Sequence, residues 1–90
     1  MVTAVVLINV ERAEIKRVVE ALLDVDGVTE VYTVAGEYDL VAIIRVKDNE
    51  RLSKIVAEEL THDFPGITRA KTLFALGVHS KYDLKGFFGL

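Results

Sequence analysis

An α+β domain of ferredoxin-like βαββαβ order, an antiparallel four-stranded sheet with two helices on one face, is the fold this sequence predicts. Three observations predict it. Runs rich in β-branched apolar residues alternate with two amphipathic helical stretches. A glycine-marked hairpin joins the two halves. The chain has 90 residues, enough for a single core of two helices on one sheet and no second domain.

Strand 1 is read at Val2 to Ile8, apolar except Thr3. Asn9 then offers a capping side chain, and Glu11 and Glu14 fall in the first turn of a helix, where the dipole favours negative charge. That helix turns Ile15, Val18, Val19, Leu22 and Leu23 inward, with Lys16, Arg17 and Glu20 outward. Gly27 ends it and opens strand 2, Val28 to Val34. After Gly36, strand 3 runs from about Tyr38 to Val46. Asp48 or Asn49 caps a second helix, with Leu52, Ile55, Val56 and Leu60 inward and Arg51, Lys54, Glu58 and Glu59 outward. Phe64-Pro65-Gly66 ends it, because proline cannot continue a helix. Strand 4 is read from Ile67 to His79. Residues 1–80 make the domain and residues 81–90 a tail, whose Phe87 and Phe88 call for a covering surface.

A sheet with helices on one face and water on the other should alternate apolar with polar residues. These strands do not: Val5 and Leu7 oppose Ala4, Val6 and Ile8, and Val41 and Ile43 oppose Leu40, Ala42 and Ile44. Two helices cover one face only. The simplest cover for the other is a second copy of the same sheet, so the domain is expected to work as an oligomer.

Composition narrows the function. The chain is 51% hydrophobic, yet its longest apolar run, Ala4 to Ile8, is far short of the roughly 20 residues that cross a bilayer. No secretory signal pattern opens the sequence, so a cytoplasmic location is expected. Without cysteine there are no disulfides, thiolate metal sites or cysteine nucleophiles. A net charge of -3 with scattered Lys and Arg disfavours direct nucleic-acid binding. The six glycines form neither a P-loop nor a dinucleotide fingerprint. Aromatic stacking residues of RNA-binding βαββαβ domains are absent from strand 1, and strand 3 has only Tyr38, at its start. His62 and His79 lack metal-pair spacing and read as surface histidines, and no cofactor is implied.

Two clusters remain. Gly36-Glu37-Tyr38-Asp39-Leu40 places an acid at the mouth of a strand that otherwise reads Leu-Val-Ala-Ile-Ile. Asp39 either accepts backbone hydrogen bonds within the hairpin or receives a ligand ammonium group beside a wall made by Tyr38, with the Gly36 backbone close by. The second cluster, Pro65 to Leu73, puts Thr68, Ala70 and Thr72 on one strand face and Arg69 and Lys71 on the other. Its hydroxyls are either plain strand formers or the lining of a polar pocket next to a neighbouring subunit.

Together the Gly36-x-Tyr38-Asp39-Leu40 hairpin, the Pro65-Gly66-Ile67 turn and Thr72-Leu73 resemble the effector-binding (RAM) domain of the Lrp/AsnC transcriptional regulators. The resemblance runs from strand 1 through strand 4. It implies sheet-paired dimers, often assembled into rings of eight chains, with amino acids bound between dimers. By carry-over, Gly36, Glu37, Tyr38, Asp39 and Thr72 border that site, and Asp39 pairs with the α-ammonium group. Family members usually carry a DNA-binding helix-turn-helix ahead of this domain, and this chain resembles the stand-alone version. Many relatives have a hydroxyl where Ala70 stands, two positions before Thr72, and Glu37 occupies the hairpin's variable position.

The resemblance implies a non-enzymatic regulatory module for an amino acid or related metabolite, acting in transcription through partners. Two other readings stay open: a structural adaptor forming mixed oligomers with full-length regulators, and a small dimeric ferredoxin-like enzyme. An amino-acid-binding ACT module shares the topology and is a variant of the first.

Overall fold

The computed structural model describes residues 1–60 and 64–81. The chain forms β1 (Val2–Val10), a 3-10 turn (Arg12–Glu14), α1 (Ile15–Leu23), β2 (Val28–Thr33) and β3 (Leu40–Val46). Then follow α2 (Asn49–Lys54), a π-helical turn (Ile55–Glu59) and β4 (Ile67–Phe74). One antiparallel sheet results, in the order β2-β3-β1-β4. The expected α+β arrangement is the one observed, with the two long apolar strands at its centre.

Strand alternation decides which residues enter the core. Ala4, Val6, Ile8 and Val10 of β1 and Leu40, Ala42, Ile44 and Val46 of β3 are buried. Above them pack Val18 and Leu22 of α1, Leu52 of α2, Ile55 of the π-helical turn, and Leu60 and Phe64 beyond it. No polar or charged residue is buried among the described residues. Burial of this apolar layer is the main driving force for the fold.

The opposite face carries Val5 and Leu7 of β1, Val41 and Ile43 of β3, and Leu73 of β4, none of them buried. Its centre is therefore apolar as well. Cross-strand neighbours Val5 with Ile43, Leu7 with Val41 and Val5 with Leu73 form a continuous patch.

Several boundaries differ from the sequence expectation, each for a local reason. Asn9 is not a helix cap: β1 runs on through Val10 because Asn9 and Val10 pair with Arg69 and Ile67 across a register shift. The helix opens instead with a 3-10 turn, and Glu11 before it makes no side-chain capping bond. β3 begins at Leu40, later than the expected start at Tyr38. β4 stops at Phe74 because β1 gives out: Ala75 N–H donates to the Thr3 carbonyl at 2.9 Å, close to the start of β1. Leu23, expected inward, is exposed at the end of α1.

Asp48 caps α2 as expected, accepting from Arg51 N–H at 2.9 Å. Arg51 and Glu59, expected outward, are instead partly buried partners at 3.1 Å, and Arg51 also donates to the Asp26 carbonyl at 2.7 Å. The π-helical turn that carries Glu59 has no signal in the sequence. His62, Phe87 and Phe88 lie outside the described residues. Among the described residues no helix is long and apolar enough to cross a membrane.

Candidate functional site

The hairpin between β2 and β3 folds down onto the end of β1, and Asp39 is what fastens it there. Asp39 N–H donates to the Ile8 carbonyl at 2.9 Å, and its own carbonyl accepts from Val34 N–H at 2.9 Å. Its Oδ2 accepts from Val10 N–H at 2.9 Å. The carboxylate thus satisfies a β1 amide beyond the last β1–β3 pair, Ile8 with Leu40, where no β3 residue remains to do so. Of the two readings of Asp39, backbone anchoring is observed.

Asn9 completes the fastening. Its Nδ2 donates to the Glu37 carbonyl at 2.8 Å and lies 3.4 Å from Asp39 Oδ2. Sequence reasoning, which takes Asn9 for a cap, misses this role. The available signal is a lone amide side chain within an otherwise apolar strand.

Tyr38 meets the second cluster. The Arg69 guanidinium sits 5.0 Å from the centre of the Tyr38 ring, and its Nη2 donates to the Tyr38 hydroxyl at 2.8 Å. Arg69 pairs with Asn9 across β1 and β4, which brings it to the hairpin corner. Glu37, Tyr38, Asp39, Asn9 and Arg69 therefore gather at one end of the sheet. Gly36 marks the exposed tip of the hairpin, with φ +138 and no heavy atom within 4 Å of where a Cβ would stand. Its glycine is required by backbone conformation and not by crowding.

Thr72 is not part of that corner. It pairs with Val6, and Ala70 with Ile8, which places both on the helix side of the sheet, whereas Arg69 and Lys71 pair with Asn9 and Leu7 on the open side. There Thr72 lines an open cleft of ≈ 360 Å³ with Val56, Leu60, Phe64, Ile67, Thr68 and Ala70, and Arg69 of the corner borders it as well. The residues expected to border one site are divided between the two faces of a single chain.

A further polar group lies on the open face near the β2 edge. Arg45 Nη1 donates to Glu30 Oε1 and to Thr29 Oγ1, each at 2.8 Å, and the Tyr32 hydroxyl donates to Glu30 Oε2. The Tyr32 hydroxyl first, and Arg45 second, hold the Glu30 carboxyl below its ordinary range. The same bond to a carboxylate raises the Tyr32 phenol.

Residues 3–83 match the family model of the Lrp/AsnC ligand binding domain. The HTH-type transcriptional regulator FL11 of Pyrococcus abyssi is 30% identical over 78 residues, covering 87% of this chain and 50% of the regulator. The chain thus spans about half the length of the curated relatives it matches first. The crystal structure of TTHA0845 from Thermus thermophilus superposes with a TM-score of 0.82 at 37% identity, covering 90% of this chain and 100% of that one. The regulator NMB0573 from Neisseria meningitidis, solved as an L-Met complex, shares the fold with a TM-score of 0.72 at 19% identity, over 97% of this chain and 58% of that one.

Proposed function

The chain belongs to the Lrp/AsnC ligand-binding domain family, and from that premise we propose that it binds an amino acid or a closely related metabolite between copies of itself and thereby regulates transcription through partners. The observation that carries this reading is the hairpin corner. A carboxylate, Asp39, and a guanidinium, Arg69, stand there without forming an ion pair among the described residues. Asp39 is held by β1 backbone and Arg69 by the Tyr38 ring and hydroxyl. A carboxylate using one oxygen for an internal bond keeps lone pairs for an ammonium group, and an arginine bonded through one nitrogen keeps donors for a carboxylate. An α-amino acid presents those two groups.

The division of the site supports a composite pocket. Thr72 stands on the helix side of the sheet, away from Asp39 and Tyr38, although Arg69 borders both places, so a ligand touching Asp39 and Thr72 together would take the first from one copy and the second from another. Pairing through the open apolar faces supplies dimers, and dimers meeting hairpin to cleft supply the ligand-binding contact, as a ring of dimers would. L-Met in the Neisseria complex supports the amino-acid class. A second reading, mixed oligomers with full-length regulators of the family, uses the same open face. The cytoplasm is the compartment this role requires.

Calorimetric titration with the free amino acids tests the reading. At least one of them gives saturable heat with the parent chain, and Arg69→Ala, which leaves the core intact, abolishes it. Absence of saturable heat from every amino acid overturns the proposal.

A further inference from the structure

We propose that Arg51 and Glu59 are positioning residues for the ligand cleft: they latch the second helix in the register that puts Val56 and Leu60 on the cleft wall. This deepens the ligand site proposed above, and its binding consequence rests on that reading.

The latch follows from helix counting. Two α-helical turns take about 7.2 residues, so a residue eight places on stands about 80° past its starting face. Arg51 and Glu59 are eight apart, yet their side chains meet at 3.1 Å. The π-helical turn Ile55–Glu59 supplies the difference, with Leu60 N–H donating to the Ile55 carbonyl five places back. One inserted residue stretches two turns to about 8.2 residues, and Glu59 comes round above Arg51. Arg51 is itself fixed, because its Nη2 donates to the Asp26 carbonyl beyond α1 at 2.7 Å.

The same insertion decides what the core and the cleft receive. In an uninterrupted α-helix Glu59, seven places beyond buried Leu52, would share its inward face. With the insertion Leu60 takes that place, 5% exposed, and lines the cleft with Val56 and Phe64. Glu59 Oε2 is nonetheless buried without a hydrogen-bond partner, so the carboxylate is kept at a cost that its bond to Arg51 offsets. A regular register would turn everything beyond the inserted residue by about 100° and take Leu60 off the cleft wall.

Glu59→Leu separates the two registers, because leucine suits the inward face and cannot hold Arg51. Scalar coupling across hydrogen bonds reads the register by NMR without any ligand. In the parent the Leu60 amide nitrogen couples to the Ile55 carbonyl carbon. In Glu59→Leu, and in part in Arg51→Ala, that coupling falls and one to the Val56 carbonyl carbon, four places back, replaces it. For an amino acid that the parent binds, calorimetry gives at least tenfold weaker affinity for Glu59→Leu while its melting midpoint is not lowered. An Ile55 coupling that both variants keep, or that the parent lacks, overturns the latch. A shifted register with unchanged affinity, or a loss of affinity that only tracks a lowered midpoint, overturns the positioning role. A parent that binds no amino acid overturns the proposed function and the positioning role with it, while the couplings still decide the latch.

Discussion

The Asp39 carboxylate continues the β1–β3 ladder where β3 has ended, its Oδ2 accepting the Val10 N–H at 2.9 Å. Removing it leaves a partly buried amide without its acceptor, which costs about 1–3 kcal/mol. Asp39→Ala is therefore expected to lower the urea midpoint by that order. Asp39→Asn keeps a carbonyl acceptor and loses about half as much. Equal losses for the two variants would contradict the ladder role.

The two glycines flanking β2 separate strain from crowding. Gly36 has φ +138 in open space, whereas Gly27 has φ +113 and a Cβ there would lie 2.6 Å from Val46 Cγ1 and 3.0 Å from Ile55 Cδ1. Gly36→Ala carries dihedral strain alone, about 1 kcal/mol, and Gly27→Ala adds overlap with the core, for about 2 kcal/mol or more. Thermal melts should show the larger drop for Gly27→Ala, and the reverse order would be inconsistent with the packing described.

Adjacent residues of β3 are expected to have different roles. Ile44 is fully buried under the helices and Ile43 lies on the open face. Ile44→Ala should destabilise the monomer by about 2–5 kcal/mol. Ile43→Ala should change monomer stability far less and weaken self-association instead. Paired denaturation and sedimentation measurements check the contrast.

Glu30 and Tyr32 give stability a defined pH dependence. The Glu30 carboxyl is held low by the Tyr32 hydroxyl and Arg45, so its contribution is present above the unfolded value of about 4.3 and is lost as pH falls through the folded one. The Tyr32 phenol is held high, so its contribution is present below about 10 and is lost as pH rises through the folded value. Tyr32→Phe should lower the neutral plateau, remove the alkaline limb and shrink the acid one, which Arg45 still sustains, so that parent and variant converge at the extremes of pH. A profile superimposable on the parent's would exclude the coupling.

Much of this structure can be read from the chain because strand alternation and helix periodicity are local. Val6, Ile8, Ala42 and Ile44 declare their face by position, and Asp48 declares a cap by its spacing to Arg51. What cannot be read depends on distant partners. Asn9 resembles a cap until Glu37 and Asp39 arrive from 28 and 30 residues away. Arg69 reads as an outward strand residue until the β1–β4 register carries it to Tyr38. Family resemblance groups Thr72 with the hairpin, and only the register, Thr72 opposite Val6, places it on the far face. The end of β4 escapes sequence reading because it is set by where β1 runs out, which nothing in the residues after Phe74 signals.

Ligand binding and assembly are proposed to share one composite site, and linkage makes that central claim measurable. Sedimentation equilibrium of the parent chain is recorded without ligand and with each amino acid at saturation. A ligand held between copies tightens association by the same factor by which association tightens ligand binding, so at least one amino acid should strengthen assembly, and Arg69→Ala should abolish the effect. An amino acid that binds with saturable heat yet leaves the association constant unchanged would contradict a site built from two copies.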